Sequence, residues 1–295
     1  MSARGMFHEM VLLDRRKHRG QKVAPVTDFS VASSLNAVFC AAAEFAEACK
    51  SFPLLFIRSG EGEAAMITPV CLLGLQNEEN LFVEGGRWTA AYLPAFLRRY
   101  PFALAKVGAP DAPVPADVAD SLARVRTLAL QAREDGSQAA AVGEEVAGLV
   151  PASAPRSAEL AQAVAIDASY AGLGLHIEGE LLFGADGEPT PHLAQVMRFL
   201  DDFETAAELT RPVGNHLQSL GLLKEMRAQG PLPGGGHFSV DGFLVVDEDK
   251  LGSLPDEAIV ALHRSGLLAL IHAHLVSLSN LHALVERKSA RLLKA

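Results

Sequence analysis

Large aromatic side chains are scarce in this chain: of 295 residues one is tryptophan and three are tyrosine, and all aromatics together make up 6%. Such side chains carry the most burial energy per residue, so a chain this poor in them places them in its core or at a binding surface. Cysteine is equally sparse. Cys40, Cys49 and Cys71 are too few and too unevenly spaced for a disulfide framework or a CxxC metal site, and they read as reduced, mostly buried thiols. The formal charge of -9 leaves no basic face for general nucleic-acid binding. One local cluster, Arg15, Arg16, Lys17, His18 and Arg19, reads as solvated surface. The N-terminal segment lacks the apolar core and cleavage site of a signal peptide, and the most apolar late stretch, 267–278, is interrupted by His272 and His274. A cytoplasmic chain without a transmembrane segment is the resulting expectation.

What is present is ordinary for a globular protein, with 49% hydrophobic and 21% charged residues. The scarce aromatics concentrate in residues 85–107, which hold Trp88, Tyr92 and Tyr100. The spacing predicts a helix over 92–100, with Tyr92, Leu93, Phe96, Leu97 and Tyr100 on one face, Arg98 pointing away and Arg99 at the flank. Pro94 fits the first turn and Pro101 the end. Two readings follow. In one, this is an aromatic core helix with two solvated arginines. In the other, Trp88, Tyr92 and Arg99 line a ligand pocket in which the guanidinium forks onto a carboxylate or phosphate while Phe96 and Tyr100 pack behind.

Around that block the patterns alternate between short strands and helices. Strands are expected at 10–14, 22–26, 54–58, 81–84 and 102–107. Another, at 64–75, contains Pro69 and runs antiparallel to 54–58. A helix over 41–51 places Phe45 and Ala48 on one side and leaves Glu44 and Glu47 to water; residues 29–38 show no clear period. Residues 109–165 turn to alanine, proline and small polar groups and read as an insertion in one domain spanning 1–295, with a helix at 117–133. Residues 173–183 read as a strand or a hairpin bent at Glu178-Gly179. Thr190 and Pro191 suit the N-cap and first position of a helix striped by Leu193, Val196, Met197, Leu200 and Phe203; a shorter helix with Val213, Leu217 and Leu220 ends at Gly221. Asp241-Gly242 signals a type I′ hairpin turn. Helices over 256–264 and 267–291 complete an α+β chain of antiparallel strands and hairpins, several amphipathic helices and a long C-terminal helix.

Nucleophile and phosphate-loop motifs are lacking: Ser59 sits in RSGEG, and the glycines near Gly230 precede a strand. His176 and Glu178, two residues apart on an expected strand, share a face; with His216 or His237 they imitate a 2-His-1-carboxylate Fe(II) site and suggest an oxygenase-like enzyme. The simpler account of the pair is a half-exposed strand surface. His274 reads as a hydrogen-bonded core histidine.

Several blocks together resemble the bacterial SapC family: DRRKHRG, PLLFI with LLGL, ENLFV, RWTAAYLPAFLRRYPFAL, LFGADGEPTPHL, VDGFLVVDEDKLGSLPDE and AHLVSLSNL. The YLPAFLRRYPF block is the most specific. The resemblance implies a surface-layer connection by name and no established reaction. It points to a peptide or protein partner, among them halogenase-like or cupin-like enzymes of a pathway on a peptide or aromatic substrate. The leading expectation is a soluble, non-catalytic accessory or binding protein holding a peptide or small acidic ligand at Trp88, Tyr92, Phe96, Arg99 and Tyr100. The alternatives are the iron enzyme and a surface-layer or export component.

Overall fold

The computed structural model describes residues 5–60, 65–106, 162–232 and 236–294. The helix expected at 117–133 lies outside them. In chain order the elements are β1 (Met10–Leu12), β2 (Lys22–Val23), β3 (Ala37–Phe39), α1 (Phe45–Ala48), β4 (Leu54–Ser59), β5 (Met66–Leu72), β6 (Val83–Glu84), β7 (Arg87–Trp88), α2 (Ala95–Arg98) and β8 (Phe102–Lys106). After the undescribed stretch come β9 (Gln162–Asp167), β10 (Leu173–Gly174), β11 (Glu180–Leu181), α3 (Pro191–Ser219), β12 (Leu223–Leu232), β13 (Gly236–Val246), α4 (Glu248–Gly252), α5 (Asp256–Arg264), α6 (Leu267–Ser277) and α7 (Asn280–Lys294). All strand pairs are antiparallel, and with the helices they make an α+β fold.

The main core forms on a five-stranded sheet in the order β12-β13-β4-β5-β3. Every residue of β5 is buried, which explains why its sequence, MITPVCL, is a continuous apolar run instead of an alternating one. Pro69 is tolerated inside it because its carbonyl faces Cys40, just past the last residue of β3, so its missing N–H falls where that ladder has ended. Helix α3 crosses β5 at close range: a methyl group on Gly214 would stand 2.1 Å from the Ile67 carbonyl oxygen. The Asn215 side chain accepts a hydrogen bond from the Ile67 N–H at 2.9 Å in the same place.

A second, smaller cluster sits under the sheet β1-β9-β8, where Ile166 pairs with both Val11 and Phe102. Residues 162–166, at the end of the stretch read as an insertion, thus form the central strand of this sheet. Their small residues hid a strand that only pairing with distant partners defines. Asp167 ends β9 fully buried, accepting from the His8, Glu9 and Ser169 N–H groups and from the Ser169 hydroxyl. Burial pushes its carboxyl up, and these four bonds outweigh that and hold it below the ordinary aspartate value.

Three expected elements take a different form. Thr190 caps and Pro191 opens α3 as expected, its hydroxyl accepting from the Leu193 N–H at 3.2 Å, but the helix runs unbroken past Pro212 to Ser219. Asp241-Gly242 is not a turn. Met226 pairs with Phe243 and Ala228 with Val240, so these two residues bulge opposite Arg227 in a continuous strand, with Gly242 at φ 78°. A left-handed glycine suits either feature, and pairing along all of β12 selects the bulge. The long C-terminal helix is present as α6 and α7, separated by a single turn at 278–279. By length and composition alone Leu267–Lys294 could cross a membrane; in this fold Leu267, Ile271, His274 and Ser277 are buried against the sheet.

His274 is the joint between that helix and the sheet. Its Nδ1 donates to the Leu54 carbonyl at 2.7 Å and its Nε2 accepts from the Val246 N–H at 3.0 Å, which fixes a neutral tautomer. Ser277, one turn on, accepts from the Leu54 N–H. The expected core histidine therefore ties β4, β13 and α6 together.

Candidate functional site

Trp88 stands at the end of a tight hairpin. Gly85 and Gly86, at φ 56° and 80°, make the turn between β6 and β7, and Val83 pairs with Trp88. The indole lies 5.8 Å from the Phe82 ring and 6.0 Å from Phe52, and its Nε1 donates to the Tyr92 carbonyl at 2.9 Å. The chain then bends at 90–91 and reaches Pro94 without regular structure. The helix expected over 92–100 is only the single turn α2, because Pro94 holds an extended conformation at its N-cap and a residue preceding proline avoids the helical region. Tyr92 and Leu93 consequently precede the helix.

That approach delivers Tyr92 to Glu44. Glu44, expected to face water, is 8% exposed. Its Oε1 accepts from the Tyr92 hydroxyl and the Ala95 N–H, both at 2.7 Å, and lies 3.8 Å from the Arg98 guanidinium. Its Oε2 accepts from the Ala41 N–H at 3.2 Å, closing the turn in which it sits. Its carboxylate thus joins α2 to the segment before α1. Burial first, and the Glu44 carboxylate second, raise the Tyr92 phenol well above its ordinary value.

The two arginines separate. Arg99 turns inward: it is 8% exposed, its guanidinium carbon 4.3 Å from the Phe96 ring, 5.2 Å from Phe203 and 5.3 Å from Phe7, and its Nε donates to the Phe96 carbonyl. Arg98 turns outward, its side chain 44% exposed and stacked between Tyr92 at 5.7 Å and Phe199 at 5.4 Å. Tyr100 is buried against Phe7 and Tyr170, its phenol pushed up to about 12 by burial, the nearby Asp167 charge and Tyr170. Of the five residues expected to bind a ligand, Trp88 bonds the half-buried Tyr92, whereas Phe96, Arg99 and Tyr100 are buried, so the cation at the surface is Arg98, not Arg99. Arg98 points away from the aromatic face as the spacing expected, and Arg99, expected at the flank, is buried where Phe7 and Phe203 close over it.

Beside the same hairpin lies an open groove of about 430 Å3 between the β6–β7 turn and α7, lined by Val83, Glu84, Gly85, Arg287, Arg291 and Lys294. The basic side chains come from a C-terminal helix that the sequence marks only as amphipathic. Next to them the Lys288 ammonium forms a short ion pair with Glu79 and donates to the Gln76 side chain at 3.0 Å, almost wholly out of water. Cys40 and Cys71 are buried free thiols, Cys40 raised well above the ordinary value by burial and by Cys71 beside it; Cys49 is half-buried.

His176 and Glu178 do not share a strand. They lie exposed in the bend between β10 and β11, which pair with opposite edges of β2, while His237 is on β13 and His216 in α3. The alternation around them came from a chain wrapping past β2. Among the described residues no three histidine, cysteine, aspartate or glutamate side chains gather closely enough to hold a metal ion.

No curated protein and no solved structure matches the chain. The SapC family model matches it over residues 13–126 and 149–284, which covers the hairpin, the Glu44 joint, both arginines and most of the C-terminal helices, and leaves 127–148 aside. On that coverage the chain belongs to the SapC family.

Proposed function

We propose that this SapC-family chain is a soluble binding or accessory protein that holds a peptide or small acidic ligand at the surface formed by Trp88, Tyr92 and Arg98. One observation carries the reading. Arg98 is exposed but already oriented, its planar guanidinium between the Tyr92 and Phe199 rings and the Tyr92 hydroxyl fixed by Glu44. An arginine ordered before binding loses less side-chain freedom when its fork meets a carboxylate. Phe96, Arg99 and Tyr100 are buried and so do not face such a ligand.

The test uses the single tryptophan, half-buried in this cluster, as a reporter. Titration with acidic peptides shifts Trp88 emission in the parent protein, and Arg98→Ala weakens that response about tenfold with the fold intact by circular dichroism. Unchanged affinity in both Arg98→Ala and Tyr92→Phe would sink the reading.

A further inference from the structure

We propose that the groove between the β6–β7 turn and α7 is a second, separate site, one that takes the carboxylates of an extended acidic peptide segment. Arg287, Arg291 and Lys294 recur at i, i+4 and i+7 and so share one stripe of α7. Both arginines are fixed by uncharged oxygens: Arg291 donates to the Asn80 carbonyl at 3.1 Å and the Val83 carbonyl at 2.9 Å, and Arg287 donates to the Thr89 hydroxyl at 3.0 Å while lying 4.5 Å from the Phe82 ring. Those bonds orient the guanidinium groups without neutralising them. Lys288 differs, its charge being met by Glu79. Among the described residues no carboxylate lies within ion-pairing distance of Arg287, Arg291 or Lys294. Three cations thus face one lining acid, Glu84, in a chain whose formal charge is -9.

Spacing identifies the occupant. Arg287 and Arg291 are about 6 Å apart along the helix axis, and alternate side chains of an extended peptide are about 6.6 Å apart on one face. Carboxylates at every second position would therefore fall in step with the two arginines, and the peptide would continue toward Lys294. A lone phosphate could engage only part of the stripe. The groove is open, not enclosed, which suits a chain lying along it better than a small molecule that must be mostly buried. At Gly85 no atom stands within 4 Å of where a Cβ would be, so backbone can approach the turn closely.

The test is fluorescence anisotropy with a fluorescein-labelled peptide of alternating glutamate and serine, against the same peptide carrying glutamine for glutamate. The glutamate peptide binds the full chain at low salt, weakens as salt rises, and outbinds the glutamine peptide. Lys294→Glu, at an exposed position with no hydrogen bond among the described residues to lose, weakens it about fivefold, and Arg287→Gln with Arg291→Gln weakens it further. No binding of the glutamate peptide, or equal binding by Lys294→Glu, overturns the site. So does binding that is lost in Arg98→Ala and kept in Lys294→Glu, which assigns the peptide to the aromatic surface. Phosphatidylserine vesicles that bind in a Lys294-dependent way and displace the peptide would reassign the groove to a membrane surface. Failure of the Arg98 reading leaves this assignment standing, because the two sites border one hairpin but take their cations from different helices, Arg98 from α2 and the groove's three from α7.

Discussion

Tyr92 and Glu44, forty-eight residues apart in sequence, meet through a 2.7 Å hydrogen bond that fixes the segment before α2 against the turn before α1. The same carboxylate oxygen accepts the Ala95 N–H, so one buried acid orders both the aromatic segment and the turn that carries Arg98. Tyr92→Phe keeps the ring and removes one donor to a charged acceptor, which costs about 1.5 kcal/mol in urea unfolding. Glu44→Ala costs more, because it also leaves the Ala95 and Ala41 N–H groups without their acceptor. Equal losses in the two variants would mean that the carboxylate does not organise the joint.

Much of this arrangement was readable from local pattern. Strands β4 and β5, the Thr190–Pro191 helix start and the family membership follow from apolar runs, capping chemistry and motif blocks. Features set by distant partners were not readable. Glu44 looks like a solvent-facing helix residue until Tyr92 and Ala95 arrive from another segment, and residues 162–166 look like more insertion until Phe102 and Val11 pair with them. The Arg98–Arg99 pair shows the same division. The 92–100 spacing points Arg98 away from the aromatic face, as found; Arg99, expected at the flank, is buried because Phe7 and Phe203 arrive from distant segments.

His274 makes stability depend on pH in a defined window. Burial holds its pKa down at about 4, from an ordinary 6.5, although the bond to the Leu54 carbonyl favours the charged form. A depressed histidine contributes fully above the unfolded value and loses that contribution as pH falls toward the folded one. Roughly 3 kcal/mol should therefore disappear between pH 6.5 and 4, while the lowered carboxyls of Asp167 and Asp247 act mainly below that range. His274→Gln offers a donor and an acceptor but cannot titrate. Urea midpoints measured across this window should slope for the parent and be nearly flat for the variant; parallel slopes would assign the pH dependence to other groups.

Gly214 is required by proximity, not by conformation. It lies inside α3 with ordinary helical geometry, where alanine normally stabilises a helix. Here an added methyl would stand 2.1 Å from the Ile67 carbonyl oxygen, a backbone atom held in the central sheet. Gly214→Ala should therefore destabilise by about 3 kcal/mol instead of stabilising, by forcing α3 off β5. Ala207→Gly, in the same helix, gives the ordinary propensity loss for comparison. A Gly214→Ala variant as stable as the parent would show that the helix can shift freely over the sheet.

The Lys288–Glu79 pair offers the sharpest test of how α7 is held. Both side chains are about nine-tenths removed from water, and Glu79 also accepts from the Leu75 N–H at 3.1 Å, so the acid is bound into its loop whether or not the lysine is present. Lys288→Met preserves most of the lysine stem's packing but leaves the carboxylate buried without its cation, a loss of about 3 kcal/mol. Adding Glu79→Gln removes the stranded charge while its amide oxygen can still accept from Leu75. The double variant should then recover most of the loss, because two charges removed together cost far less than one left alone. Recovery would mean that α7 is anchored by packing and by the Arg291 bonds to Asn80 and Val83, with the ion pair setting register more than stability. Additive losses in the double-mutant cycle would instead make the pair itself the anchor.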